Sequence, residues 1–253
     1  MLREQTLERM RTLGLGGMLA AFQLQEEQPD LAELSFVERL GLLVDAEWTH
    51  RRDRTQARLL KEAKLRLPAC FEDLSLQAER GLDRQMVRRL STCQFVREHE
   101  NVLITGATGV GKTFLACALG NACCRQGLRA RYFRMARLLG ELALARGDGS
   151  YPSFMSRLAK TDLLILDDFG LSPLAPAEAR DLLEVIDDRT QTRSTVIAAQ
   201  LPLDAWHGAI TDPTLADAIL DRLIHNAHTL DLKGESQRKT RQTMKSPPVT
   251  KES

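Results

Sequence analysis

A phosphate-binding loop is the clearest chemical pattern in the sequence. Residues 106–113 read Gly-Ala-Thr-Gly-Val-Gly-Lys-Thr, which fits the pattern G-x-x-x-x-G-K-[ST]. Glycines let successive backbone N–H groups face concentrated negative charge, and a helix N-terminus adds its positive dipole end. The Lys112 ammonium would reach the β- and γ-phosphates, and the Thr113 hydroxyl would coordinate Mg²⁺. The pattern therefore predicts that ATP and Mg²⁺ bind through Gly106, Ala107, Thr108, Gly109, Val110, Gly111, Lys112, Thr113 and Phe114.

A pair of carboxylates is the second candidate for chemistry. The apolar run Leu163–Leu166 ends in Asp167 and Asp168, which is typical of a Walker B strand. We expect Asp167 to hold the metal with Thr113. Asp168 occupies the position where such ATPases usually carry Glu to orient the attacking water, and its shorter side chain predicts slow hydrolysis. Chance matches, in a glycine-containing turn and in a solvated turn, are the alternatives for the two motifs.

The elements that must position these residues follow from the apolar pattern. Beyond about residue 98, β-rich runs alternate with helical ones, which predicts an α/β fold with a parallel five-stranded sheet. The P-loop lies between the first strand and a helix over Phe114–Cys124, as the motif requires. The predicted strands are Asn101–Thr105, Ala130–Arg134, Leu163–Asp167, Thr195–Ala199 and Thr229–Leu232.

The first 67 residues predict a small all-helical domain. Apolar residues recur at helical spacing from Leu7 through Phe22, and Ser35 with Glu38 forms a capping box that begins a second helix. Pro68 disfavours helix at the residue before it and places a domain boundary there. The expected organisation is a helical domain over 1–67, a linker with a lead-in helix over 68–97, the ATPase domain with a reduced lid over 98–243, and a disordered tail over 244–253.

Composition excludes several classes of protein. The net charge is +1, so affinity for nucleic acid must come from local basic patches. The five cysteines show no C-x-x-C spacing and predict reduced packing residues, with neither a zinc site nor a disulfide framework. No apolar run approaches the roughly 20 residues of a membrane span, and we expect a cytoplasmic protein without a membrane partner.

Five sequence blocks together resemble the IstB-type transposition helper ATPases. The P-loop is generic, whereas the blocks that begin at Leu43, Asp217 and Gly234 are more specific in combination. The resemblance implies an AAA+ fold related to the helicase loader DnaC, preceded by a helical domain, with ATPase activity. The blocks are Leu43–Trp48, Ala63–Ala69, Gly106–Thr113, Asp217–Leu223 and Gly234–Lys239.

The resemblance also assigns roles to residues outside the two motifs. It implies that Arg222 is an arginine finger for the ATP site of a neighbouring subunit, with Arg189 and Arg193 as alternatives. It places Arg238 at the sensor II position and Gln200 at the sensor I position. Ala198-Ala199 depart from the Thr-Ser that the family often carries before sensor I.

Two basic groups are candidate DNA contacts. Arg51, Arg54, Arg58 and Lys61 share one helical face by spacing, which would suit sequence-independent binding to duplex phosphates. A solvated face that packs on the ATPase domain is an equal alternative. The second group, implied by the resemblance to DnaC-like ATPases, is Arg134, Arg137 and Arg146.

The leading hypothesis is therefore an ATP-dependent regulator that forms a homo-oligomer on duplex DNA through trans ATP sites. It would recruit and stimulate a transposase. A DnaC-like helicase loader is the alternative, and a small-molecule kinase is a third reading of the same P-loop. Arg222 and the helical N-terminal domain argue against the kinase.

Overall fold

A computed structural model of the protein describes residues 2–74 and 81–234. The chain forms two compact units, residues 1–58 and 59–253. This division falls before residue 67, where the sequence predicted a boundary. Leu59, Ala63 and Ala69 account for the difference, because all three are buried in the core of the second unit.

Three helices build the N-terminal unit. They are α1 (Leu2–Thr12), α2 (Gly16–Glu27) and the first part of α3 (Phe36–Ala63). The single helix predicted over residues 7–22 is wrong, because the chain turns at Gly14, whose φ of 69° suits glycine. The capping box is confirmed: the Ser35 N–H and hydroxyl donate to the Glu38 carboxylate over 2.9 and 2.7 Å.

A side chain from α3 completes the start of α2. The buried Glu47 carboxylate accepts hydrogen bonds from the backbone N–H groups of Gly17 and Met18, at 2.8 and 3.1 Å. Leu15 at the N-cap has no polar side chain, so Glu47 satisfies these free amides. A Cβ at Gly17 would lie 2.5 Å from the Ala46 carbonyl oxygen, so glycine permits this close approach.

The second unit contains a parallel five-stranded sheet, as predicted. Its order is β2-β3-β4-β1-β5, and every neighbouring pair is parallel. Each strand begins and ends within two residues of its predicted bounds, because each is a short β-rich run between helical segments. The strands are β1 (Asn101–Gly106), β2 (Ala130–Arg134), β3 (Leu163–Phe169), β4 (Ser194–Ala199) and β5 (Ala227–Leu232).

Helices cover both faces of the sheet. Val102 and Ile104 of β1 face one core, which contains Leu115 and Leu119, while Leu103 between them faces a second core, which contains Leu138 and Leu182. No helix in the described part of the chain is long and apolar enough to cross a membrane. The helices of this unit are α4 (Arg84–Ser91), α5 (Gln94–Arg97), α6 (Lys112–Arg125), α7 (Met135–Asp148), α8 (Tyr151–Ala159), α9 (Pro176–Arg189) and α10 (Pro213–Ile224).

The strand order brings the predicted chemistry to one edge of the sheet. Strand β4 lies between β3 and β1, and all three run in the same direction. Gly106 ends β1, Asp167 lies near the end of β3, and Gln200 directly follows β4. Ligands of parallel α/β sheets bind at this carboxyl edge.

Candidate nucleotide site

The loop after β1 has the backbone that a phosphate cradle needs. Gly106, Gly109 and Gly111 have φ values of 137°, 89° and 106°, in the region that favours glycine. A Cβ at Gly106 would lie 2.2 Å from the Leu232 carbonyl oxygen on β5. Helix α6 begins at Lys112, so its free N–H groups and positive dipole end face the loop.

The predicted lysine lies inside this loop. Lys112 is buried, and its ammonium donates to the carbonyl oxygens of Gly106 and Ala107 over 2.7 and 2.8 Å. The positive charge therefore lies within the glycine loop itself. A buried ammonium at this place suits an anionic ligand, because a low-dielectric surrounding strengthens the attraction.

Thr113 and Asp167 form a pair of candidate metal ligands. The Thr113 hydroxyl donates to the Asp167 carboxylate over 2.7 Å, and the Tyr132 hydroxyl donates to the same oxygen over 2.8 Å. Asp167 is almost fully buried. Burial and the neighbouring Asp167 raise the pKa of Tyr132 above its usual range, so the phenol stays protonated as a donor. Tyr132 holds the carboxylate from β2, a role that the sequence did not predict.

This donor set fits Mg²⁺ bound together with a nucleotide. Mg²⁺ takes oxygen ligands and is usually held by one or two carboxylates plus phosphate oxygens and water. Within residues 2–74 and 81–234, the structure has no group of three or more His, Cys, Asp and Glu side chains that could hold a metal ion. The hydroxyl of Thr113 and the carboxylate of Asp167 are therefore the residues that would hold Mg²⁺ at the carboxyl edge.

Asp168 lies beside the pair and has two arginine neighbours. Its φ of 62° is left-handed, and its N–H donates to Asp167 Oδ1 over 2.9 Å. Its Oδ2 lies 3.7 Å from Arg66 Nη1 and 3.8 Å from Arg134 Nε. Arg134, which we predicted as a DNA contact, thus has its ionic partner at this site. Arg66 was not a candidate in the sequence.

Gln200 lies next to the phosphate loop. Its Oε1 accepts a hydrogen bond from the Thr108 hydroxyl over 2.8 Å. Thr108 is a residue of the loop between β1 and α6, so the end of β4 is linked directly to the loop. The structure therefore brings the residue predicted at the sensor I position to the P-loop.

Arg222 lies at the opposite end of β1 from the P-loop. Asn101, the first residue of β1, donates through Nδ2 to the carbonyl oxygens of Arg222 and Leu223 over 3.3 and 3.2 Å. Strands rise about 3.3 Å per residue, which separates this end of β1 from Gly106 by roughly 16 Å. Arg222 is therefore remote from the P-loop of its own chain.

Comparison with known proteins identifies the family. Residues 8–246 match the family described as IstB-like ATP binding protein. The chain belongs to this family. Its relatives include the insertion sequence ATP-binding protein y4pL of Sinorhizobium fredii, 48% identical over 94% of this chain and 98% of the relative. The IS1162 ATP-binding protein of Pseudomonas fluorescens is 47% identical over 84% and 93% of the two chains.

Solved structures agree with the fold of this IstB-like protein. The crystal structure of DnaI has a TM-score of 0.57 at 18% identity and covers 70% of this chain and 94% of its own. DnaA bound to AMPPCP and single-stranded DNA has a TM-score of 0.58 at 16% identity, covering 74% and 58%. These likenesses confirm the predicted AAA+ type of P-loop fold.

All three arginine-finger candidates in the IstB-like chain have partners within their own chain, and Arg222 is paired with Asp187. Arg189 is buried and donates to the carbonyl oxygens of Leu158 and Thr161 over 2.6 and 2.8 Å. Burial lowers its pKa to about 9, so it stays charged at neutral pH. A buried guanidinium cannot enter a neighbouring subunit, and Arg189 is wrong as a finger. Arg193 is half-buried and lies 3.7 Å from Asp162.

The predicted DNA contacts differ in how they are engaged. The side chains of Arg51, Arg54, Arg58 and Lys61 are exposed along α3, although Arg51 pairs with Glu47 over 2.6 Å. Arg137 is exposed and pairs with Glu141 within its own helix.

Arg146 is bound within the protein. It lies 2.6 Å from Asp181 and 3.1 Å from Glu184, and it stacks on the Tyr151 ring at 3.8 Å. These contacts tie α7 to α8 and α9. Arg146 stays a predicted DNA contact whose charge is partly balanced by Asp181 and Glu184. Arg238, predicted at the sensor II position, lies outside the described residues, as does the tail over 244–253.

Proposed function

We propose that this IstB-like protein is an ATPase that regulates DNA transposition by assembling on duplex DNA and stimulating a transposase. The observation that carries the proposal is the pairing of Thr113 with Asp167 at the mouth of a glycine loop that contains Lys112. The names of the relatives, which are insertion sequence ATP-binding proteins, favour transposition as the process. The protein would encounter ATP and DNA in the cytoplasm.

Each residue of the site has a role in the proposed hydrolysis. The loop N–H groups and Lys112 bind the phosphates, while Thr113 and Asp167 hold Mg²⁺, which neutralises phosphate charge when bound. Asp168 accepts a hydrogen bond from water and orients its oxygen toward the γ-phosphorus. That oxygen bonds to phosphorus as the bond to the ADP oxygen breaks, and the proton that the water loses passes to the Asp168 carboxylate. Gln200 is hydrogen-bonded to Thr108 and would therefore respond to a change in the conformation of the phosphate loop.

The position of Arg222 supports the proposed assembly. Because Arg222 lies at the far end of β1 from its own P-loop, it would act on the ATP site of a neighbouring subunit. A guanidinium supplied in trans stabilises the charge that develops on the γ-phosphoryl group. Subunits that contact head to tail would form a ring or a filament. Hydrolysis would then require assembly.

Helix α3 offers surfaces for both proposed partners. The exposed basic side chains of Arg51, Arg54, Arg58 and Lys61 suit the phosphates of duplex DNA without sequence readout. Toward the N-terminus of the same helix, an exposed apolar stripe suits a protein partner such as the transposase. The stripe consists of Val37, Leu40, Val44 and Trp48, which recur at helical spacing.

A helicase-loader role is the second candidate, because the sequence resemblance to DnaC-like ATPases covers the same ATPase core. The two candidates differ in the DNA they need. A regulator of transposition would assemble on duplex DNA, whereas a loader would act on single strands.

The test of the proposed function is light scattering after size-exclusion chromatography. The protein is mixed with random-sequence duplex or single-stranded DNA, with ATP, ADP or no nucleotide. We expect a large complex only with ATP and duplex, lost in Arg222→Ala and kept in Arg180→Ala, a matched change of an exposed arginine on α9. A monomer under every condition would overturn the assembly mechanism, and a preference for single strands would favour the loader.

A further inference from the structure

The connector after α3, residues 64–69, is packed on the helix that follows the P-loop. Helix α3 ends at Ala63, and Lys64 has a left-handed φ of 50°. Leu65 then lies over Gly120 of α6, where a Cβ would come within 2.7 Å of Leu65 Cδ2. Ala69 at the other end is fully buried. The connector is therefore held at both ends, and the residue between them has a defined place.

That residue, Arg66, points at the two carboxylates of β3. Its Nη1 atom lies 3.9 Å from Asp167 Oδ2 and 3.7 Å from Asp168 Oδ2. Its side chain is 34% exposed, so water only partly screens these interactions. Asp167 Oδ2, the atom that Arg66 faces, is also the oxygen that accepts the hydrogen bond from Tyr132 on β2. Arg66 thus contacts the site from a segment that lies outside the P-loop and the Walker B strand.

Asp168 needs such a neighbour for two physical reasons. Its left-handed backbone costs free energy for a residue with a Cβ, so the side chain keeps this orientation only if other contacts determine it. Its carboxylate also follows directly after that of Asp167, and two like charges repel each other. Arg66 and Arg134 both lie by Oδ2, which leaves Oδ1 available to a water molecule.

We propose that Arg66 is a positioning residue that holds the Asp168 carboxylate for hydrolysis. The connector from α3 thereby sets the turnover rate of the ATP site. This inference rests on the proposed ATP hydrolysis. It adds that the connector after α3, residues 64–69, influences the rate of that hydrolysis through Arg66. It also makes Arg66 a competitor of Mg²⁺ for the charge of Asp167.

Steady-state kinetics of Arg66 variants test the positioning role. Arg66→Ala and Arg66→Gln should lower kcat by about tenfold and leave ATP affinity within about threefold, because only the oriented carboxylate is lost. Arg66→Lys should recover part of kcat, since it restores the charge without the planar fork. Lys64→Asn is the matched control in the same connector, because asparagine tolerates a left-handed backbone. A parallel loss of affinity and kcat would overturn the inference.

A double-mutant cycle separates positioning from a general structural effect. In an Asp168→Asn background, Arg66→Ala should lower kcat by less than about twofold further, because the group it positions is already gone. Losses that multiply instead would overturn the inference. Thermal unfolding of each variant checks that the fold is intact.

Magnesium dependence gives a readout that does not need hydrolysis. With a fluorescent ATP analogue, Arg66→Ala should reach half-maximal binding at a several-fold lower free Mg²⁺ concentration than the unmodified protein, because a positive charge beside Asp167 is removed. An unchanged midpoint would contradict the contact between Arg66 and the carboxylates. If the unmodified protein hydrolyses no ATP in any assembly, the proposed function and the positioning role both fail, and this titration then tests only the contact of Arg66 with Asp167.

Discussion

Arg222 on α10 is paired through its Nε atom with Asp187 on α9. The same guanidinium donates from Nη1 to the Ala218 carbonyl oxygen, one turn earlier in α10, over 2.8 Å. The candidate trans arginine is therefore oriented within its own subunit before any neighbour arrives. A side chain that is already ordered loses less conformational entropy when it enters a second ATP site.

Mixing two inactive variants should restore hydrolysis. Arg222→Ala subunits keep an intact P-loop, and Lys112→Ala subunits keep an intact arginine, so a mixed assembly contains some complete sites. We expect phosphate release from the mixture on duplex DNA to exceed that of either variant alone. Arg180→Ala with Lys112→Ala should behave like unmodified protein diluted by Lys112→Ala. A mixture as inactive as its components would place the ATP site within a single subunit.

Removing the partner of Arg222 should have a milder effect. Asp187→Ala leaves the guanidinium in place but removes its orientation, so we expect turnover in the assembly to fall by less than in Arg222→Ala. Asp188→Ala, an exposed neighbour on the same helix, is the control. Equal losses of turnover in Asp187→Ala and Arg222→Ala would contradict this expectation, because the charge of Arg222 would then contribute nothing without its orientation by Asp187.

Lys112→Ala should abolish most nucleotide affinity. The change removes a buried charge and leaves the carbonyl oxygens of Gly106 and Ala107 without their donor. We expect ATP affinity to fall by about 100-fold, since charge-assisted bonds to phosphate are among the strongest in proteins. Titration with a fluorescent ATP analogue measures this, with Lys160→Ala at the exposed end of α8 as control. Unchanged affinity would exclude the loop as the phosphate site.

Asp168 variants should separate hydrolysis from binding. Asp168→Asn keeps the size of the side chain but cannot accept a proton, and we expect kcat to fall by about 100-fold with ATP affinity retained. Asp168→Glu adds the methylene that this position lacks and should raise kcat. If Asp168→Asn hydrolyses ATP normally, another group orients the water.

The apolar stripe on α3 should be needed for the protein partner alone. Val44→Asp places a charge in a surface whose side chains are 50% exposed at Val44 and 61% exposed at Trp48. We expect loss of transposase binding in a pull-down with the cognate transposase, with ATP binding unchanged. Asp45→Ala is the control, because Asp45 is exposed on the same helix. Glu38→Ala is unsuitable as a control, because Glu38 caps α3. Retained binding by Val44→Asp would exclude this face.

The sheet and the P-loop could be predicted because their signals are local. Each strand is a short β-rich run, and the loop pattern requires a strand before it and a helix after it. The break between α1 and α2 also had a local signal, since Gly14, Gly16 and Gly17 interrupt the apolar pattern. Helical periodicity across these glycines outweighed them in the prediction, which is why it failed.

Contacts between distant residues could not be predicted in this way. Arg66 meets Asp168 across more than a hundred residues, and no spacing rule connects them. Arg189 did have a signal: with Leu182, Val185 and Ile186 it shares the buried face of α9 by helical spacing. That position indicates an internal arginine and would have removed it from the finger candidates.

Asn101, at the start of strand β1, binds the end of helix α10, whereas the other end of the strand leads into the P-loop. Its Oδ1 accepts from the Thr195 N–H over 2.9 Å, while its Nδ2 holds the last carbonyl groups of the helix that bears Arg222. One end of a buried strand therefore fixes the phosphate loop and the other end fixes the arginine. If Arg222 acts in trans, β1 separates the ATP site of its own subunit from the arginine that enters the next one. The length of β1 would then help to set the distance between consecutive ATP sites in the oligomer.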